Sequence, residues 1–154
     1  KFPGYFLDAN IAGLRRKLGL CTANPEDELL AKDFLDLLEA NQCDFTLAFR
    51  RLSELSGNDP GNSIQSLFDF PSAFAPWLDR WQQRCNEETH PDRQQQMLTT
   101  NPVKIPRNHI VEDVLAQANA TGDLAPFHDL VNVLERPLQL ADNELPYATP
   151  PRED

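Results

Sequence analysis

The chain has 154 residues, 40% of them hydrophobic, and a formal net charge of −10. That length and composition predict one globular domain with a single core. The excess of acidic side chains repels phosphate backbones and anionic lipids, so neither nucleic acid nor a membrane surface is an expected partner.

Helical periodicity begins near the amino terminus. Four apolar residues at helical spacing predict a first helix that ends at Gly19; they are Leu7, Ile11, Leu14 and Leu18. A second helix is predicted after Asn24, an N-cap candidate, with Pro25 at its first position and the acidic residues 26–28 at the positive end of its dipole. Its expected buried stripe comprises Leu30, Phe34, Leu37 and Leu38.

A third helix is predicted to begin near Asp44. Its apolar stripe comprises Phe45, Phe49 and Leu52. Arg50 and Arg51 are expected to face outward. The turn formers of SGNDPGNS, residues 56–63, then break the chain.

The fourth predicted helix has a heavy aromatic face. Its apolar residues repeat at i, i+3, i+4 and i+7, and they are Phe74, Trp77, Leu78 and Trp81. Such a stripe is expected to be core, with a ligand or partner groove as the alternative. The polar stretch from His90 to Thr100 predicts a short helix or a helical turn.

The last two predicted helices form a hairpin. The first is lined by Val111, Leu115 and Ala118, and the second by Phe127, Leu130, Val131 and Leu134. Between them, Gly122 can stop the first helix in a left-handed conformation and Asp123 can cap the second. Pro137 ends the hairpin, and the proline-rich residues 141–154 are expected to run extended over the surface or to remain loose.

The fold class predicted is therefore all-α, with six to seven helices in one compact domain over residues 1–140 and an extended tail over residues 141–154. No run of about 20 apolar residues predicts a membrane span, and the opening residues lack the pattern of a signal peptide. A cytoplasmic location follows. Because the chain begins with Lys1 rather than Met, we expect a piece of a longer protein.

Motifs that indicate chemistry are mostly absent from the sequence. The six glycines occur singly, so no phosphate-binding loop is present. A helical-bundle metal site is conceivable, but surface or capping roles are expected for its members, His90, His109, His128, Asp92, Glu112 and Asp129. The cysteines, Cys21, Cys43 and Cys85, form no CxxC pair and are expected to be small buried residues in a reducing compartment. We predict no catalytic, cofactor-binding or metal-ligating residue.

The concentrated positive charge of the sequence lies in Arg15, Arg16 and Lys17. On a helix these side chains fan through about 200°, so they cannot share one surface. At least one is expected to reach a carboxylate or a helix carboxyl end. The cluster is otherwise expected to be a solvated face, with docking to an acidic surface of a larger protein as the alternative.

The segment NPVKIPRN, residues 101–108, has prolines that hold the preceding residues, Asn101 and Ile105, in extended conformations. Pro106 can be the first residue of the following helix, with Asn108 as a second candidate cap. Capping does not explain Arg107, for which we expect a structural hydrogen bond to a carboxylate or to carbonyl groups. Six residues are therefore candidates for a structural or interdomain role: Arg15, Arg16, Lys17, Asn101, Arg107 and Asn108.

Five segments are similar, in order and spacing, to the C-terminal part of the selenoprotein O family, called YdiU in bacteria. They are RRKLGL at 15–20 with the acidic helix start PEDELL after it, DFTLAFRRLSEL at 44–55, NPVKIPRNHIVEDVLAQA at 101–118, GDLAPFHDLVNVLERP at 122–137 and YATPP at 147–151. Residues 57–96 resemble the family least.

The resemblance implies a kinase-like enzyme, often called a pseudokinase, that transfers AMP from ATP to hydroxyl side chains of protein substrates with a divalent metal, Mg²⁺ or Mn²⁺. It also implies a link to redox homeostasis. The family's nucleotide-binding, metal-binding and catalytic residues lie upstream of the matched portion, so none of them falls on this sequence. Family members commonly end in a short tail with a cysteine or selenocysteine, whereas this sequence ends in PPRED.

On this resemblance the sequence predicts a helical buttress that packs against the kinase-like core of a longer chain and has no ATP binding or AMP transfer of its own. The alternative is a stand-alone module whose aromatic stripe binds a protein partner. A surface freed from the core would be apolar, so self-association of the fragment is expected. The expected compartment is the bacterial cytoplasm, or the mitochondrion for a eukaryotic protein.

Overall fold

The computed structural model describes residues 2–56, 64–68, 71–139 and 147–148, and for residues 2–9 and 71 the backbone alone. Within these ranges the α-helices are α1 (Phe2–Lys17), α2 (Asp27–Ala40), α3 (Phe45–Leu55), α4 (Pro71–Asn86), α5 (Arg93–Thr100), α6 (Asn108–Thr121) and α7 (Ala125–Leu134). A short 3-10 helix, Ile64–Leu67, precedes α4. The described ranges contain no β-strand, so the prediction of an all-α fold is confirmed.

The chain divides into two compact units, residues 1–101 and residues 102–154. The first unit contains α1 to α5 and the second contains α6 and α7. The predicted tail, residues 141–154, lies outside the described residues except for Tyr147 and Ala148, as do residues 57–63 of the predicted break. Across the part of the chain that is described, no helix has both the length and the apolar character needed to cross a membrane.

An aromatic stack forms the core of the first unit. The ring centroid of Phe34 in α2 lies 4.2 Å from that of Trp77, in a stacked arrangement, and 5.1 Å from that of Phe49, edge to face. Trp77 stacks in turn with Trp81 at 6.2 Å. Both indole N–H groups donate to backbone carbonyls, at 2.8 and 2.9 Å. Since Phe74 is buried as well, the prediction that the aromatic face of α4 is core is confirmed.

The last residue of helix α1 is Lys17, and a Schellman motif at Gly19 terminates the helix two residues later, at the predicted position. Gly19 has a φ of +72°, a left-handed conformation that costs glycine little because it lacks a Cβ. Its N–H donates to the carbonyl of Arg16 at 3.2 Å, and the N–H of Leu20 donates to the carbonyl of Arg15 at 2.9 Å. A Cβ at Gly19 would lie 2.5 Å from the sulfur of Met97, so α5 packs where only glycine fits.

Helix α2 begins at Asp27 with Glu26 as its N-cap residue, so the predictions that Asn24 is the N-cap and Pro25 the first helical residue are wrong. Asn24 instead bonds to the turn that precedes the helix. The side-chain oxygen of Asn24 accepts from the N–H of Glu26 at 2.9 Å. The carboxylate of Asp27 accepts from the N–H of Asn24 at 2.9 Å. The first of these bonds forms an Asx turn, and together the two bonds hold the chain in place where it enters α2.

Helix α2 ends in a second Schellman motif, here without a glycine. Gln42 has a left-handed φ of +50°. Its N–H donates to the carbonyl of Glu39 at 3.0 Å, and the N–H of Cys43 donates to that of Leu38 at 2.9 Å. A side chain in this conformation carries a steric cost that glycine avoids.

Helix α3 begins after the predicted cap, Asp44, whose carboxylate accepts from the N–H of Leu47 at 2.7 Å. The buried residues of α3 are Ala48, Phe49, Leu52 and Ser53. Phe45 was predicted to join them and is instead 48% exposed, because the first residue of the helix lies at the edge of the core. The prediction that Arg50 faces outward is also wrong, since its side chain is only 16% exposed.

In the second unit, α6 and α7 form the predicted hairpin. Gly122 ends α6 with a φ of +72°, as predicted. The carboxylate of Asp123 accepts from the N–H of Ala125 at 2.9 Å, in the predicted capping role. The carbonyl of Pro137 accepts from the N–H of Val103 at 2.8 Å, which joins the two ends of the hairpin segment.

The apolar stripes of this hairpin are less buried than their periodicity predicts. Among the described residues, α6 has none that is buried and α7 has only Leu130. Leu115, Phe127 and Val131 are 46%, 40% and 39% exposed. The contact between α6 and α7 covers only part of each apolar stripe, which accounts for the difference.

Candidate structural site

Asp27 is the centre of a buried ion-pair network in the first unit. It is 1% exposed. One carboxylate oxygen accepts from Nε of Arg15 at 3.0 Å, and the other accepts from Nε of Arg84 at 2.8 Å. A buried, ionised carboxylate is stable only when several strong donors bond to it. For Asp27 these donors are the two arginines and the backbone N–H of Asn24. The network joins α1, α4 and the start of α2.

Glu88, which follows α4, holds the loop between α1 and α2. Its side chain is 3% exposed. Its carboxylate accepts from the N–H of Cys21 at 2.9 Å, from the N–H of Thr22 at 3.0 Å and from the Thr22 hydroxyl at 2.6 Å. Burial alone would raise the pKa of Glu88, but these hydrogen bonds outweigh burial and lower the pKa to about 2. The carboxylate is therefore ionised at neutral pH.

Two arginines link Glu88 to the rest of the network. Arg84 Nη1 lies 3.3 Å from the Glu88 carboxylate, and its Nη2 donates to the carbonyl of Thr22 at 2.9 Å. Arg93 of α5 donates from Nε to the carbonyl of Gly19 at 3.0 Å, and its Nη2 lies 3.4 Å from Glu88. Each guanidinium thus spans a carboxylate and a backbone carbonyl, an arrangement suited to holding the loop in place.

The three basic residues at the end of α1 have three different surroundings, in keeping with their predicted fan of directions. Arg15 is half-buried and pairs with Asp27, whereas Arg16 is exposed. Nζ of Lys17 lies 5.3 Å from the ring centroid of Phe49. Burial lowers the pKa of Lys17, whose stem covers the edge of the core. Docking to an acidic surface stays a prediction, and Arg16 presents the exposed charge for it.

Asn101 is fully buried at the place where three helices of the first unit meet. Its Nδ2 donates to the carbonyl of Lys17 and to the hydroxyl of Ser53, both at 2.9 Å. Its N–H donates to the carbonyl of Met97 at 2.8 Å. Nη1 of Arg50 lies 3.4 Å from the Asn101 carbonyl, which explains why this arginine is turned inward. Asn101 therefore connects the carboxyl ends of α1 and α5 to α3.

In the second unit, Arg107 lies immediately before α6 and is 8% exposed. Its backbone is extended, with φ −73° and ψ 134°, and its carbonyl accepts from the N–H of Val111 at 3.0 Å. Arg107 is thus the N-cap residue of α6, and its side chain makes no capping hydrogen bond. Helix α6 begins at Asn108, so the predictions that Pro106 is the first helical residue and that Asn108 is the cap are wrong. Lys104 is 1% exposed, a burial that sequence reasoning missed.

The histidines do not assemble a metal site in the described part of the chain, where no group of three His, Cys, Asp or Glu side chains is placed to hold an ion. His90 Nε2 lies 2.5 Å from the side-chain oxygen of Gln96. The ring of His128 lies 6.0 Å from that of its neighbour Phe127. These are local contacts at helix surfaces.

The three cysteines differ in burial. Cys85 is buried, and burial raises the pKa of its thiol to about 11. Cys43 is half-buried, and its sulfur lies 2.8 Å from the carbonyl of Leu67. Cys21 is exposed, so the prediction that all three are buried is wrong for this residue. Cys21 lies in the loop that Glu88 holds through backbone N–H groups, which leaves its side chain outside the core.

The described residues form a helical scaffold. In its first unit, buried ion pairs hold the ends of the helices together. The model of one protein family, described as protein adenylyltransferase SelO, matches residues 1–135. The chain belongs to this family.

Curated relatives agree with this assignment. Proteins called protein nucleotidyltransferase YdiU from Rhodopseudomonas palustris (strain HaA2) and Bradyrhizobium sp. (strain BTAi1) are each 43% identical over 155 residues. One of the same name from Rhizobium meliloti (strain 1021) is 39% identical over 153 residues. The alignments cover 98%, 99% and 97% of this chain but 31%, 32% and 30% of the relatives. The chain therefore spans about a third of the length of the relatives it matches.

Proposed function

We propose that this chain is the carboxy-terminal helical region of a protein nucleotidyltransferase that transfers AMP from ATP to hydroxyl side chains of other proteins. The observation that supports this most is the family match over residues 1–135, together with relatives named protein nucleotidyltransferase. The relatives are about three times as long as the chain, which supports placing the reaction in the part of the protein outside it.

Within that protein we assign the chain the role of a buttress that braces the kinase-like core. The contacts of the first unit support this role. Asp27 and Glu88, its two deeply placed carboxylates, are each held by arginines and backbone N–H groups, and Asn101 ties three helices together. These buried hydrogen bonds fix the positions of the helices of this unit relative to one another. A surface that braces another part of the protein needs helices fixed in this way.

ATP and Mg²⁺ or Mn²⁺ belong, in this proposal, to the remainder of the protein. Its partners are then the kinase-like core of the same chain and the proteins that receive AMP. The relatives are bacterial proteins, which supports a bacterial origin, and we place the protein in the cytoplasm as part of this proposal.

A transfer assay tests the proposal. The isolated chain and the full-length protein are incubated separately with labelled ATP, Mg²⁺ or Mn²⁺ and a generic protein acceptor. We expect the full-length protein to label the acceptor and the isolated chain to leave it unlabelled. Label transfer by the isolated chain would overturn the buttress role, and no transfer by the full-length protein would overturn the proposed reaction.

The alternative function is a stand-alone module that binds a partner through the aromatic stripe. The burial of this stripe argues against it. Phe74, Trp77 and Trp81 are 0%, 3% and 3% exposed. Because these rings are already packed, they present no surface to a partner. Blue-shifted tryptophan emission from the isolated chain is the expected result, and emission typical of exposed tryptophan would restore the alternative.

A further inference from the structure

The apolar side chains of helix α7 occupy a wider arc of the helix surface than the other described residues bury. At about 100° per residue, the large apolar side chains of α7 and of its N-cap residue, Leu124, spread over roughly 180° of the helix circumference. Leu130, Val133 and Leu134 lie on one side of this arc and are buried or half-buried. The other side, here called the α7 face, consists of Leu124, Phe127 and Val131, which are 56%, 40% and 39% exposed.

The stretch of sequence that contains the α7 face is acidic. From Asn108 to Glu135 it has five acidic residues and no lysine or arginine, and Arg107 and Arg136 flank it; the acidic residues are Glu112, Asp113, Asp123, Asp129 and Glu135. Two copies of the chain joined through this face would bring like charges together, which disfavours a second copy as the occupant. A surface with an apolar centre and a neutral or basic rim fits better.

The family match indicates where such a surface is found. The match extends to residue 135 and so includes all of α7, while the chain spans about a third of its relatives' length. About two thirds of the relatives' length lies outside the part that this chain matches, and a full-length protein of the family would have that part in the same molecule. An aligned set of large exposed apolar side chains is typical of an interface rather than of a free surface.

We propose that Leu124, Phe127 and Val131 pack against the remainder of the full-length protein, at a patch that is apolar in its centre and neutral or basic at its rim. This inference rests on the proposed function in requiring a longer protein. It goes further because it names the residues of this chain that make the contact. It also states the charge expected of the surface that they contact.

Hydrogen exchange of the α7 amides tests the interface. It is measured in the full-length protein and in the isolated chain, each as wild type, Phe127→Asp, Val131→Asp and Asn132→Asp. Asn132 is exposed and lies about 140° around α7 from Phe127, so its variant adds the same charge away from the face. We expect wild-type α7 amides to exchange at least about tenfold more slowly in the full-length protein. Phe127→Asp or Val131→Asp should abolish the slowing, and Asn132→Asp should retain it.

Three results would overturn the proposal. Equal exchange in the full-length protein and the isolated chain would show that nothing covers the face. Faster exchange in the isolated chain on Phe127→Asp and Val131→Asp would show that these residues support the hairpin itself. Slowing that depends on protein concentration would identify a second copy as the occupant. Because no nucleotide is present, the outcome does not depend on whether the full-length protein transfers AMP.

Discussion

Replacement of Glu88 by glutamine tests the network that holds the loop after α1. The folded protein lowers the pKa of Glu88 from 4.5 to about 2. Each pKa unit corresponds to about 1.4 kcal/mol, so the ionised carboxylate contributes about 3 kcal/mol to the free energy of unfolding. The side chain is 3% exposed, but Cys21 and Thr22, to which it bonds, are exposed, so solvent screening makes about 3 kcal/mol an upper value.

The pH dependence follows from the direction of the shift. Since the pKa is lower in the folded protein, the contribution is complete above pH 4.5 and is lost as the pH falls toward 2. Glu88→Gln removes the charge at every pH. At pH 7 the free energy of unfolding of the variant should be lower than that of the wild type by up to about 3 kcal/mol, and the difference should approach zero near pH 2.

Urea unfolding, followed by the fluorescence of the buried Trp77 and Trp81, measures both quantities. Glu87→Gln is the matched control, because the Glu87 side chain is 50% exposed and lies 4.0 Å from Arg84. Its free energy of unfolding should stay within about 0.5 kcal/mol of wild type. Equal losses for the two variants, or a Glu88→Gln loss that is the same at pH 7 and near pH 2, would refute the reasoning.

Three further predictions concern helix ends and thiols. Gly19→Ala should lower the free energy of unfolding by about 2–4 kcal/mol in thermal denaturation, because it adds left-handed strain and a Cβ 2.5 Å from a methionine sulfur. Gly122→Ala, with the same φ and open space, should lose only about 1 kcal/mol, and equal losses would contradict the packing argument. Gln42→Gly should gain about 1 kcal/mol by relieving its left-handed φ, and a loss would count against this. A thiol reagent should modify exposed Cys21 rapidly and Cys85 only after unfolding; a rapid phase that persists in Cys21→Ser would be inconsistent with these placements.

Local features of the fold could be predicted because each depends on residues close together in the sequence. Gly19 and Gly122 end helices since glycine adopts a positive φ at low cost, and Asp44 caps α3 through a backbone N–H three residues away. The spacing of Phe74, Trp77 and Trp81 likewise identified the side of α4 that is buried. In each case the physical cause lies within about one or two helical turns.

The ion-pair network could not be predicted, because its members are far apart in the chain. Asp27 and Arg84 are separated by 57 residues, and Thr22 and Glu88 by 66. In the sequence, a place at a helix start is sufficient to explain why residue 27 is acidic. No sequence pattern connects Asp27 with Arg84. Periodicity also shows which residues of a helix share a face but not what covers that face, which is why Phe127 and Val131 were expected to be more buried than they are.

Equilibrium binding of ATP tests the central claim most directly, namely that this chain is a supporting region and that the nucleotide site lies elsewhere in the protein. Calorimetric titration of ATP with Mg²⁺ is carried out on the isolated chain and on the full-length protein under the same conditions. We predict saturable binding to the full-length protein and no heat of binding for the isolated chain. Stoichiometric binding of ATP to the isolated chain would contradict the claim.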